Sequence, residues 1–257
     1  MRIDGDDAAL LEEVLAGPRR ALVPLPDLRV IERPGWLQLV TPSFRTGGFN
    51  EVSLSVLDDG EADAVIDATI AEYRRLGLAF RWAVPPGSKP DDLSERLARR
   101  GLARSTVRGM ARTTADPPDG SIDGVRVDEV DETSLDLFTR VMAEGWATDR
   151  SALDAAHNAI FRQPERNQRL YLAFRGGEPA AVASYVVYPR SAYLLGGVVL
   201  PRFRGLGLYR ALVGARLRDA SARGIQLATS QAREGTSAPI LERMGFRTIC
   251  QFPVFHG

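Results

Sequence analysis

The stretch whose residue types and spacing best suit chemistry is Arg204-Gly205-Leu206-Gly207-Leu208-Tyr209-Arg210. Two glycines one residue apart let backbone N–H groups approach a ligand with no Cβ in the way. Arg204 and Arg210 add guanidinium groups, whose planar fork suits phosphate oxygens. The run before it, Gly196 to Leu200, is apolar, carries β-branched Val198 and Val199, and reads as a strand ended by Pro201. After it, Leu208, Leu212, Ala215 and Leu217 recur at helical spacing. A strand, a glycine turn and a helix start leave unpaired N–H groups where the helix dipole also favours anions. The pattern predicts a pyrophosphate cradle, with an ordinary Arg/Gly-rich connecting loop as the plainer alternative. The Gly-Lys-Ser/Thr of a Walker A loop is missing, and a Gly-x-Gly-x-x-Gly dinucleotide fingerprint fails at Arg210.

Arg204-Gly205-Leu206-Gly207-Leu208-Tyr209 resembles motif A of the GCN5-related N-acetyltransferases, Arg/Gln-x-x-Gly-x-Gly/Ala. Downstream, Ile240-Leu241-Glu242-Arg243-Met244-Gly245-Phe246 resembles that family's short helix ending in Leu-Gly-Phe before its last strands. The resemblance covers roughly residues 124–257 directly. It implies a mixed-sheet α/β (α+β) fold that takes acetyl-CoA as cosubstrate and needs no metal. It further implies that Arg204, Gly205, Leu206, Gly207, Leu208, Tyr209 and Arg210 hold the pyrophosphate, while backbone of Gly197, Val198 and Val199 pairs with the pantetheine amides. The chain departs from the family at two positions. Tyr209 stands where motif A ends in Gly or Ala. Leu241 stands where many members carry a Tyr as general acid for the departing thiolate, and Leu cannot donate a proton.

Acyl transfer from a thioester to an amine requires a positioned amine, removal of its proton, a stabilised oxyanion and a protonated thiolate. The catalytic candidates are Ser237, at the start of the last helix, and Glu144, at the end of the helix before the segment that lines the acceptor pocket in the family. Each has a plainer reading, Ser237 as a helix N-cap and Glu144 as a solvated surface carboxylate. Tyr209 could offer its hydroxyl to the cofactor side or simply pack, and Trp146 could wall the acceptor pocket or be buried. Tyr185, Tyr188 and Tyr193 read as core or pocket wall, His157 as a surface histidine, and Cys250 as a small core residue.

The elements that must position these groups follow in order. Residues 6–15 read as a short helix. Leu28–Ile31 and Trp36–Val40 form a hairpin around Pro34-Gly35, Gly47-Gly48 makes a turn, and Glu51–Leu57 is a half-buried strand. Ala62–Leu76 is a helix stopped by Gly77, Ala79–Val84 a strand, and a helix capped at Asp91 or Asp92 runs to Arg100 before Gly101. Arg104–Ala111 is a strand, and Thr113–Gly124 reads as a polar Pro/Gly/Asp linker. Then come strand Val125–Val130, a helix from Thr133 or Ser134 to Glu144, a helix Ser151–Phe161, and strands Leu170–Phe174 and Ala180–Val187 joined at Gly176-Gly177. The last part is strand Tyr193–Leu200, helix Leu206–Arg223, strand Ile225–Ala232, helix Ser237–Met244 and strand Arg247–Phe255.

The order strand, helix, strand, helix ending in Gly, strand occurs twice, and Leu97-Ala98-Arg99-Arg100-Gly101-Leu102 matches Leu241 to Phe246 in kind. The chain therefore reads as two tandem copies of one fold, a degenerate domain 1–115, a linker 116–124 and a cofactor domain 125–257. In the first copy the loop position holds Asp58-Asp59-Gly60-Glu61-Ala62-Asp63, whose carboxylates repel pyrophosphate.

The 257 residues carry 33 basic and 33 acidic side chains, which argues against bulk binding of nucleic acid or anionic membrane. No apolar run approaches a membrane span, and the acidic start is unlike a signal peptide. One cysteine and two histidines disfavour a disulfide or a zinc site. The family resemblance implies acetylation of a primary amine of a small molecule, and the chain is expected to be a cytoplasmic monomer or homodimer. The rival readings are a non-catalytic acyl-CoA-binding or regulatory module, motivated by Leu241, and a transferase using another acyl donor.

Overall fold

The computed structural model describes residues 7–23, 25–45 and 48–257. Asp6 of the first expected helix and Gly47 of the Gly47-Gly48 turn lie outside them. Helix α1 spans Asp7–Arg20, and strands β1 Arg29–Arg33, β2 Trp36–Val40 and β3 Glu51–Ser55 follow. Next come α2 Ala62–Leu76, β4 Arg81–Ala83, α3 Leu93–Arg99 and β5 Ala103–Thr113. The later elements are β6 Val125–Glu129, α4 Leu135–Trp146, α5 Arg150–Phe161, β7 Gln168–Arg175, β8 Glu178–Val187 and β9 Ala192–Val199. The chain ends with α6 Leu208–Ala222, β10 Leu227–Arg233, α7 Ser237–Arg243 and β11 Arg247–His256.

Two compact units form. One holds Pro24–Arg108 with Cys250–Gly257, the other Met1–Val23 with Gly109–Ile249. These units do not divide the chain at one linker. Helix α1 runs on to Arg20 and packs within the second unit, on β10. Gly17 makes that contact possible, since a Cβ there would lie 2.6 Å from the Tyr193 ring. The Tyr188 hydroxyl donates to the Gly17 carbonyl at 2.8 Å, and the Ser191 hydroxyl donates to Glu13 at 2.6 Å.

In the first unit β1, β2 and β3 pair antiparallel, β3 and β4 pair parallel, and β4 pairs antiparallel with the 254–256 end of β11. The α2 helix buries Ile66, Ile70 and Tyr73 and ends at Gly77, whose φ of 66° only glycine adopts without strain. Tyr73 stacks on Phe80 at 4.5 Å, and Trp36 meets Trp82 edge-on at 5.5 Å.

In the second unit β6, β7, β8 and β9 pair antiparallel in sequence, and β9 pairs parallel with β10. Helices α4 and α6 both pack on β8 and β9. Val198 lies against Gly145 of α4, while the neighbouring Gly197 lies against Tyr209 of α6. Successive strand residues face opposite ways, so the two helices cover opposite faces of β9. Tyr185, Leu194, Leu208, Leu212, Leu217 and Leu241 belong to one buried cluster.

The order strand, helix, parallel strand, helix, strand occurs twice along the chain, from β3 to β5 and from β9 to β11. Helices α3 and α7 even end alike. Leu97 and Leu241 are fully buried, and Gly101 and Gly245 have φ of 76° and 83°. Their N–H groups bond Ala98 and Glu242 carbonyls, each at 2.9 Å.

Candidate functional site

Strands β9 and β10 pair only at Ala192, Tyr193 and Leu194 with Ala228, Thr229 and Ser230. Beyond Leu194 the two strands share no ladder, although β9 runs on to Val199. Opposite β8, the register of β9 shifts. Val182 faces Val198 and Ser184 faces Leu195, so Gly196 and Gly197 together oppose Ala183. This is a β-bulge, and Gly196 takes the left-handed φ of 66° that it needs. The adjacent glycines were the signal for it in the sequence.

Arg216 holds the bulge from below. It is 1% exposed, and its Nη1 donates to the Ser184 and Leu195 carbonyls at 2.8 and 3.4 Å while Nε donates to Leu212 at 3.0 Å. Its spacing, four residues from Leu212 and eight from Leu208, is what places it on the inward stripe. Burial pushes its pKa down from the usual guanidinium range.

The expected cradle follows β9 through a 3-10 turn at Pro201–Phe203. Gly205 and Gly207 have φ of 79° and 80°, and Gly207 caps α6 with no side-chain cap on its first N–H groups. Those groups have no intrahelical acceptor and form the positive end of the helix dipole. Leu206 is exposed at the tip. Arg204 and Arg210 are also exposed; Arg204 Nε donates to Val199 at 3.4 Å and Arg210 Nη2 to the Asp119 carbonyl at 3.0 Å. A cavity of about 780 Å³ opens beside them, lined by Val199, Phe203, Arg204, Leu208, Tyr209, Arg210, Ile240 and Met244 among others.

The catalytic candidates sit in different surroundings. Glu144 at the C-terminal turn of α4 is half-exposed and pairs with Arg202 at 2.7 Å. Ser237 is not the N-cap of α7, since Thr236 takes that place. Its Oγ accepts from the Arg233 N–H at 3.0 Å. His157 is buried rather than at the surface, bonded to Thr139 at 2.7 Å and edge-on to Phe138.

In the first unit the corresponding helix start is filled by the chain's own charges. Asp59 and Asp63 pair with Arg96, and Asp63 and Asp67 with Arg100. The hydrogen bonds from Arg100 hold the Asp63 and Asp67 carboxyls below their usual pKa. Carboxylates at the N-terminus of α2 thus stand where a phosphate would, each with an arginine from α3 or its end. Among the described residues no helix is long and apolar enough to cross a membrane, and no three metal-ligating side chains gather.

Residues 132–246 match the family model Acetyltransferase (GNAT) family. No curated protein sequence matches the chain. The fold is similar to that of a functionally unknown conserved protein from Staphylococcus epidermidis, with a TM-score of 0.67 at 13% identity over 93% of this chain and 95% of that one. It is also similar to a GCN5-related N-acetyltransferase from Kribbella flavida, with a TM-score of 0.63, 18% identity, and 98% and 95% covered. A tandem GNAT protein from the clavulanic acid biosynthesis pathway gives a TM-score of 0.58, 13% identity, and 99% and 95% covered. Residues 132–246 therefore match the acetyltransferase (GNAT) family model, in a chain whose fold is similar to that of a tandem GNAT protein.

Proposed function

We propose that the second unit transfers an acetyl group from acetyl-CoA to the primary amine of a small molecule, by direct attack of the amine on the thioester, in the cytoplasm. Acyl transfer from a CoA thioester is the general chemistry of the family. The observation that carries the reading is the run from the unladdered part of β9 into the uncapped start of α6. Backbone of Gly197, Val198 and Val199 offers amide partners to pantetheine there, and Gly197 is exposed. The loop from Arg204 to Arg210 offers N–H groups and guanidinium groups to the pyrophosphate. The cofactor domain is then built mainly from residues 125–249, and the first copy, with its own carboxylates on α2, holds no cofactor.

A screen of small amines with acetyl-CoA, read by release of free thiol, tests the activity. Turnover on at least one amine is expected. Tight CoA binding with no turnover above background on any amine would replace the reading with a binding or regulatory module.

A further inference from the structure

Residues 116–124, which the sequence reads as a linker, lie within the second unit and are fastened to it on both sides. On one side Arg112 is buried, and its Nη1 donates to the Met244 carbonyl at the end of α7. Its Nη2 donates to the Asp116 carbonyl at 3.1 Å, and the Thr114 N–H donates to the Gln226 carbonyl at 3.0 Å. On the other side the segment crosses α6 backbone to backbone. A Cβ on Gly120 would lie 3.1 Å from Gly214 Cα and 3.2 Å from the Arg210 carbonyl oxygen, so glycine at both positions permits the crossing. Arg210 Nη2 donates to the Asp119 carbonyl at 3.0 Å, and Ile122 packs on Gly207.

Between these fastenings Pro118 and Asp119 line the cavity that the glycine loop and α7 also line. At about 780 Å³ the cavity has the size of a whole ligand site rather than of a phosphate alone. Its lining is of two kinds. Arg204, Gly205, Gly207 and Arg210 offer guanidinium and N–H groups to phosphates. Pro118, Phe203, Ile240 and Met244 offer apolar surface on which a flat heteroaromatic ring packs. Asp119 accepts from the Ser121 N–H at 2.8 Å, which helps hold its carboxyl below the usual pKa. A carboxylate there repels a phosphate and accepts an amino N–H, so the linker suits a base and not a phosphate. We propose that the linker is part of the cofactor site, with Pro118 and Asp119 forming the wall against which the adenine of CoA lies; this rests on the CoA reading above. The segment that joins the two copies then also selects a thioester that carries a nucleotide over one that does not.

Titration calorimetry of CoA and of 4′-phosphopantetheine, which lacks the adenosine part, into wild type and Pro118→Gly tests this. Wild type is expected to bind CoA the more tightly. Pro118→Gly removes the ring from the wall and leaves the glycine loop as it is. It should weaken CoA about fivefold and leave 4′-phosphopantetheine unchanged. If both ligands weaken alike, or neither does, the linker proposal is overturned while the cofactor site stands. If wild type binds neither ligand, the cofactor site is overturned and the linker proposal with it. Should Pro118→Gly fail to fold, Pro118→Ala decides, because it trims the same ring without the added backbone freedom of glycine. It is expected to weaken CoA about twofold and 4′-phosphopantetheine not at all. An unchanged ratio of the two affinities overturns the proposal.

Discussion

Tyr209 and Gly197 share one space: the ring of the first lies where a side chain of the second would stand, with 2.8 Å between Cε2 and a Cβ built on the glycine. A bulky residue at the end of the glycine loop is accommodated because the facing strand has none. Gly197→Ala is expected to destabilise the protein by about 1–3 kcal/mol through overpacking. Tyr209→Ala in the same chain should recover most of that loss. Denaturant melts of the two single variants and the double variant measure the coupling. Additive losses would show that the two residues do not compete for the space.

His157 predicts an acid-side loss of stability. Burial lowers its pKa from 6.5 to about 4. The folded state therefore resists a proton that the unfolded state takes up. Its contribution is complete above pH 6.5 and is lost as pH falls from there to about 4, amounting to about 3 kcal/mol. Stability measured against pH should show this slope, and His157→Gln should remove it. An equal slope in both proteins would place the loss on other groups.

Leu241→Tyr is expected to damage packing rather than restore an acid. Leu241 is fully exposed to none of the solvent and sits in the cluster with Leu208, Leu212 and Met244. Inserting the larger ring should cost about 1–3 kcal/mol. Thermal melts should show the drop, and thiol-release rates per folded molecule should not rise. A faster, equally stable variant would contradict this placement of the residue.

The backbone elements of the candidate site were legible in the sequence because they depend on local residue types. Gly205, Gly207 and the apolar spacing of α6 announce a strand, turn and helix start, and all three are present. The two-copy order was legible for the same reason, down to Gly101 and Gly245. What the sequence concealed depends on contacts between distant residues. Arg216 is buried because β8 and β9 supply the carbonyls of Ser184 and Leu195, which lie 32 and 21 residues from it. Tyr209 and Ile240 are far apart in sequence, yet they line one cavity. Helix α1 precedes the first copy in the chain, yet Tyr188, Ser191 and Tyr193 hold it in the second unit. The acidic stretch at Asp58 to Asp63 was readable as hostile to phosphate, but its pairing with Arg96 and Arg100 was not.

The central claim is that one CoA binds per chain, at the loop before α6. Titration calorimetry of CoA into wild type and Leu206→Glu tests it most directly. Gly207 is a poor position for this test, because its φ of 80° and a contact of 3.0 Å between an added Cβ and Ile122 would disturb the fold itself. Leu206 is exposed, so a carboxylate there changes charge rather than packing. The prediction is a single site per chain whose affinity falls by about tenfold or more in the variant, through repulsion of the pyrophosphate. Two equivalent sites per chain, or one site that Leu206→Glu leaves unchanged, would contradict it.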